Sequence, residues 1–227
     1  MSDSRDSILR KIRKATSVKS VLPEIPSNTD EQLLHKLDSI TPNSPDTLLE
    51  QFKNELIALS AEFHLISNKE EALPIIQEVM SQSDYSHLAI SDNPDCLDLA
   101  NHLSKKDGNI KAVKATDIPS SNRKTDLAEI PAALVKATHS VSDIGSLVFP
   151  YDDNGTTLPH FLADCIFALV DRNRLVANQF ELFKIIDREK AKNMVFVAGP
   201  SRTADIEKVL VLGAHGPRRL IVFMIDQ

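Results

Sequence analysis

The run Leu220-Ile-Val-Phe-Met-Ile225 constrains this chain more than any other feature. Six consecutive apolar residues with no alternation describe a strand buried on both faces, the pattern of a parallel sheet covered on each side. A second short apolar run, Met194 to Ala198, ends at Gly199-Pro200. The stretch between them reads as a helix. Ser201 or Thr203 can cap it, Asp205 and Glu207 occupy its first turn where carboxylates suit the dipole, and Gly213 stops it. The segment is therefore expected to be one βαβ unit. Its first turn, Gly199 to Thr203, would lie at the carboxyl edge of the sheet, where open α/β folds bind ligands.

Other periodicities place strands at Phe63 to Ile66, His87 to Ile90, Ser146 to Pro150 and Cys165 to Val170, with an edge strand near Ile110 to Val113. Helical spacing runs from Asp46 as cap through Leu48, Leu49, Phe52, Leu56 and Leu59. It recurs around Leu73 to Met80, Asp95 to Leu103, Leu127 to Thr138 and Leu175 to Ile186. Strands alternating with helices predict a three-layer α/β domain with a mostly parallel sheet over residues 46–227. Residues 1–45 read as a short basic helix with Ile8, Leu9 and Ile12 on one face, followed by a Ser/Pro/Asn connector. Such an arm either hangs loosely or docks on a partner surface.

Gly199-Pro200-Ser201-Arg202-Thr203-Ala204-Asp205-Ile206-Glu207, Leu210-Val-Leu-Gly213 and His215-Gly216-Pro217 closely resemble the C-terminal signature of the lactate-utilisation protein C family, whose shared unit is the LUD domain. Upstream, Ser7 to Arg13 is similar to that family's basic first helix, and Val141 to Val148 to its acidic-x-Gly-Ser/Thr turn. Leu158-Pro159-His160 before Ile166 to Val170 also fits. Many members carry Glu where this chain has Asp143. The resemblance implies the NagB/RpiA/CoA-transferase-like fold. It further implies a non-redox component of an L-lactate utilisation system, in which lactate is oxidised to pyruvate and the iron–sulfur clusters sit in companion proteins. A free-standing enzyme on a sugar phosphate or acyl-CoA, and an interaction scaffold, stand as alternatives on fold analogy.

Gly199, Ser201, Arg202, Thr203, Asp205 and Glu207 form the expected ligand site: a guanidinium beside free helix amides and two hydroxyls suits a small anion. The plain alternative is a structural turn in which Arg202 pairs with Asp205 or Glu207. Asp143 occupies a context loosely similar to the glutamate nucleophile of CoA transferases, while an Asx-turn explains it without chemistry. His215 follows the expected helix, so it would stand about 13 Å from Ser201 at the opposite sheet edge. The remaining histidines considered, His64, His87, His102, His139 and His160, are isolated, and Asp152-Asp-Asn-Gly155 reads as a polar turn.

A net charge of −6 with scattered basic residues argues against nucleic acid as a partner. Cys96 and Cys165, the only cysteines, are far apart in apolar settings and read as buried reduced thiols. No apolar stretch approaches the roughly 20 residues of a membrane span, and no leader peptide is legible, so a cytoplasmic location is expected. Homo-oligomerisation stays open. No metal or cofactor has ligands at usable spacing within this chain alone. Purified protein should accordingly be colourless and free of stoichiometric iron, zinc and flavin. Elemental analysis and an absorption spectrum check this, and about one equivalent of bound metal would contradict it.

Overall fold

A computed structural model of the chain describes residues 7, 44–106, 108–151, 156–186, 193–204, 210–212 and 216–226. The N-terminal arm, the Asp152 to Gly155 turn, Asp205, Glu207, Gly213 and His215 lie outside the described residues. Residues Pro42–Gln227 make up one compact unit. Among the described residues no helix is long and apolar enough to cross a membrane.

Helix α1 (Pro45–Ala58) buries Leu49, Phe52 and Leu56, one face at helical spacing. Its N-cap is Ser44 rather than Asp46; Pro45 stands at the first helical position and Asp46 in the first turn. Strand β1 (Glu62–Ile66) follows, then α2 (Ala72–Gln82), β2 (His87–Ile90), α3 (Pro94–Lys106) and β3 (Lys111–Lys114). Next come α4 (Arg123–Ala128), β4 (Ala132–Lys136), β5 (His139–Val141), β6 (Ser146–Tyr151), α5 (Pro159–Leu162) and β7 (Cys165–Asp171). The chain closes with β8 (Leu175–Val176), α6 (Gln179–Ile185), β9 (Asn193–Val197), β10 (Arg202–Ala204), β11 (Leu210–Leu212) and β12 (Arg219–Ile225).

Six strands form the main sheet in the order β1-β12-β7-β4-β2-β3, every pair parallel. Alternate residues of β7 and β12 enter separate cores. Phe167, Leu169, Ile221 and Phe223 pack with Ile76 and Met80 of α2 and Leu99 and Leu103 of α3. Ile166, Ala168, Leu220 and Val222 pack with Phe52 and Leu56 of α1 and Leu147 and Phe149 of β6. That second face is thus covered by α1, α4 and a smaller sheet of order β8-β5-β6-β9. Helix α6 seals the far side of the small sheet through Leu182 against Val141 and Val148. The α/β class and mostly parallel sheet stand as expected.

Three segments depart from the sequence reading. The expected helix Leu127 to Thr138 is α4 followed by the fully buried strand β4, because Pro131 denies the helix a donor and Ala132-Ala133-Leu134-Val135 fits the crowded sheet centre. Leu175 to Ile186 is split between β8 and α6, whose N-cap Asn178 accepts from the Glu181 amide at 3.0 Å. The terminal βαβ unit is absent: β9 pairs antiparallel with β6 in the small sheet, and Arg202–Ala204 pairs antiparallel with Leu210–Leu212 as a hairpin. Only parallel neighbours need a long crossover, so an antiparallel β9 removes the demand for a helix.

His160 of α5 is 2% exposed, its ring edge-on to Phe149 at 4.2 Å with Tyr151's hydroxyl 3.1 Å from Nε2 and the Thr157 carbonyl 3.3 Å from Nδ1. Burial pushes its pKa down from 6.5 to about 4. The unfolded chain therefore takes up a proton below pH 6.5 that the folded chain refuses. Stability should fall as pH drops from about 6.5 to about 4, by up to about 3 kcal/mol, and then level for this group. Urea unfolding across that range checks it. His160→Phe should flatten the slope there, and a wild-type chain with constant stability over that range would contradict the assignment.

Candidate functional site

The last turn of α1 is the platform on which the signature residues assemble. Gly145, in the β5–β6 turn, has φ +55°, and a Cβ on it would lie 2.8 Å from both Glu55 Cβ and Leu56 N. Gly199, just past β9, has φ +139°, and its Cβ would lie 2.9 Å from Leu59 Cβ and 3.0 Å from the Leu59 carbonyl oxygen. Both need glycine for conformation and for space. The β6–β9 register, Leu147 opposite Val197, continues to bring these two turns side by side at one end of the small sheet. Ser142 anchors the first of them: it is fully buried, with Oγ 2.8 Å from the Leu48 carbonyl and 2.9 Å from Gln51 Oε1.

Ser201 then meets the other half of the signature. Its amide donates to the Pro217 carbonyl at 2.7 Å, and a Cβ on Gly216 would lie 3.1 Å from Ser201 Cβ and 3.5 Å from its Oγ. Gly199-Pro-Ser201 and Gly216-Pro217 therefore close one site although fifteen positions separate Ser201 from Gly216. Gly216 and Pro217 reach Ser201 because Arg202–Ala204 pairs antiparallel with Leu210–Leu212, whereas His215, for which the separation of about 13 Å was expected, lies outside the described residues. Since β12 begins at Arg219 and α1 ends beside β1, the site sits at the amino edge of the main sheet, not the carboxyl edge.

The electrostatics change with the fold. No helix starts at Ser201, so free helix amides do not gather there, and the backbone of Arg202 and Thr203 belongs to β10. The helix terminus next to Gly199 is instead the carbonyl end of α1. Asp143 sits in a backbone turn: its amide donates to the Ala177 carbonyl at 3.1 Å, and the Gly145 amide donates to the Ser142 carbonyl at 3.2 Å. Partial burial raises the pKa of its carboxyl group and the charge of Glu55 adds to that, while the Asp143 and Ile144 amides oppose both. A carboxyl group so placed holds its proton to higher pH than a free aspartate.

A separate charged constellation occupies the carboxyl edge, and the sequence reading missed it. From β2 the chain proceeds outward to β3, whereas from β4 it proceeds to β7 on the other side, so the gap between β2 and β4 is the topological switch point of the sheet. Lys136 closes β4 there, its side chain 11% exposed, with Nζ 2.9 Å from Asp95 Oδ2 and 2.7 Å from Asp171 Oδ1. Lys69 bonds Asp95 and Asp98, each at 3.0 Å. Ser91 Oγ donates to Cys96 Sγ at 3.4 Å, and burial pushes the Cys96 thiol up to about 12, which disqualifies it as a nucleophile at neutral pH. Three carboxylates meet two ammonium groups here, and each carboxylate has at least one ammonium partner. A lysine closing an apolar run was the available sequence signal, hidden when Leu127 to Thr138 read as a helix.

Comparison with known families matches residues 49–225 to the LUD domain. The chain belongs to the LUD domain family. Its similar relatives include a lactate utilization protein C of Bacillus pumilus, 30% identical over 107 residues that span 44% of this chain and 45% of that protein. Another, from Geobacillus thermodenitrificans, is 30% identical over 93 residues, 38% of each chain. An uncharacterized protein of Neisseria meningitidis serogroup B is 37% identical over 62 residues, 26% of this chain and 27% of that one. The matched segments thus span less than half the length of these curated relatives. Among solved structures, a DUF162 family protein from Deinococcus radiodurans superposes with a TM-score of 0.59 over 81% of this chain and 99% of that one, at 16% identity, a likeness of fold.

Within this LUD domain, Gly199 and Ser201 stand together with Gly145 and Gly216, Asp143 lies in the adjoining turn, and the Lys136 network lies at the other edge. Cys96 and Cys165 are both buried and free. Lys136→Met keeps the stem of the side chain and removes its charge, leaving Asp171 without its ammonium partner. It should cost about 1.5–3 kcal/mol, the scale of a hydrogen bond to a charged group. Denaturant unfolding measures this. A change below about 0.5 kcal/mol would show that the network is a solvated surface cluster.

Proposed function

We propose that this LUD-domain chain is a non-redox component of an L-lactate utilisation system and that it holds a small carboxylate against the Ser201 turn. The name borne by several relatives supports the first part. The second rests on one observation: the two halves of the family signature, far apart in sequence, close on each other at Ser201. Two glycines without room for a Cβ fix the shape of the wall, and Ser201 is a half-buried residue beside it. Arg202 follows the turn in sequence and would supply guanidinium charge for a carboxylate. The amino-edge location changes the reason for the site from helix amides to hydroxyl and guanidinium donors. Companion proteins carrying iron–sulfur clusters would perform the electron transfer.

Calorimetric titration of the purified chain with L-lactate and pyruvate tests the binding claim. Saturable binding is expected, weakened about tenfold or more by Arg202→Ala or Ser201→Ala, in line with loss of a charge-assisted or charged-group hydrogen bond. Cells lacking the gene should fail to grow on lactate, and a tagged chain should retain cysteine-rich companions. Wild-type protein that binds neither acid, or growth on lactate that survives the deletion, would overturn the corresponding half of the proposal.

A further inference from the structure

We infer that Asp164 is the positioning residue of the Ser201 turn, acting on it through Arg218 and Pro217 from the far side of β12. The inference rests on the reading of that turn as a ligand site, and the following contacts carry it.

Asp164 lies between α5 and β7, and its own amide donates to the Pro131 carbonyl at 2.8 Å, which fixes it to the start of β4. Its backbone carbonyl accepts from the Arg218 amide at 2.8 Å and the Arg219 amide at 3.1 Å. Its carboxylate accepts from Arg218 again, with Nε 2.5 Å from Oδ1 and Nη2 3.2 Å from Oδ2. On the other side the Tyr85 hydroxyl donates to Oδ2 at 2.5 Å, and Tyr85 is itself held at the end of α2 by its amide donating to the Met80 carbonyl at 2.8 Å. One aspartate therefore grips both the main chain and the side chain of Arg218. The residue before it is Pro217, and the Pro217 carbonyl is the acceptor of the Ser201 amide.

The route from Tyr85 through Asp164, Arg218 and Pro217 to Ser201 is contiguous, each link a hydrogen bond or a peptide bond. Burial alone would raise the Asp164 pKa; the Arg218 and Tyr85 bonds outweigh it and lower the value, so the acceptor is an anion at neutral pH. Tyr85 is pushed up to about 12, first by burial and then by its bond to Asp164, so it remains a donor throughout. Pro217 has no amide of its own, and its stretch of chain is tied down through Arg218 and Arg219 instead. A ligand donor must be held to within about half an ångström, and such precision depends on the groups behind it.

The test compares amide hydrogen exchange at Ser201 in wild type, Asp164→Asn and Tyr85→Phe. Asp164→Asn keeps the backbone acceptor and the volume but removes the charge that binds Arg218, and Tyr85→Phe removes one donor should the first variant fail to fold. Ser201 exchange should accelerate at least about tenfold in Asp164→Asn, and less in Tyr85→Phe, while Val170 and Met224 amides in β7 and β12 keep their protection. Pyruvate affinity should fall in parallel. Unchanged Ser201 exchange would overturn the inference, as would acceleration shared equally by Val170 and Met224, which describes general destabilisation. Should wild type bind no pyruvate, the ligand reading fails while the exchange comparison still decides the role of Asp164.

Discussion

Burial of the main sheet on both faces is the constraint from which the rest follows. Strands β7 and β12 lie side by side within it, fully covered above and below, and a parallel pair of this kind has no solvent-facing side to spare. Helices α2 and α3 cover one face. The other is too broad for α1 alone, so the chain lays a second, four-stranded sheet across it beside α1 and α4. That arrangement fixes the function-bearing turns as well: the small sheet delivers Gly145 and Gly199 to the last turn of α1, and β12 delivers Gly216 and Pro217 to Ser201.

How much of this was legible depends on whether local pattern and burial agreed. They agreed for β2, β7 and β12, whose apolar runs are too unbroken for a half-exposed helix, and for α1, α2 and α3, whose apolar residues recur at helical spacing. They disagreed at β4. Ala132-Ala133-Leu134 favours a helix by propensity, yet small side chains are also what the crowded sheet centre accepts, and Pro131 settles the contest. Losing that strand hid Lys136 and with it the carboxyl-edge network. The segment after Ser201 failed for a different reason. Asp205, Glu207 and the apolar run at Leu210 to Leu212 match a capped helix, but the direction of β9 decides whether a crossover is needed, and direction is a property of pairing partners outside the segment.

The consequence for the site is larger than a misplaced element. A helix after Ser201 would have put Gly216 and Pro217 at the opposite sheet edge and given Ser201 a ring of free amides. The hairpin removes the amides and substitutes a second backbone segment. The last turn of α1 lies beside Gly145 and Gly199, whereas Arg218 follows Pro217 and is held by Asp164. Sequence named Gly199, Ser201 and Asp143 as residues of interest, yet the contact that joins Ser201 to Gly216-Pro217, and the bonds by which Asp164 holds Arg218 beside it, became visible only in three dimensions.

The central claim is that Ser201 and Gly216 touch, and a cross-link measures this most directly. In a chain carrying Ser201→Cys and Gly216→Cys, the two Cβ atoms would stand about 3.1 Å apart before relaxation, close to the roughly 3.5–4.5 Å that a disulfide spans. The native thiols of Cys96 and Cys165 are buried and pushed up to about 12, so they are poor competitors. Mild oxidation should form the 201–216 disulfide rapidly and nearly completely in folded protein, seen as a single linked peptide by mass spectrometry and the loss of two titratable thiols. Persistence of both free thiols in folded, oxidant-treated protein would contradict the hairpin and restore the separation that a helix imposes.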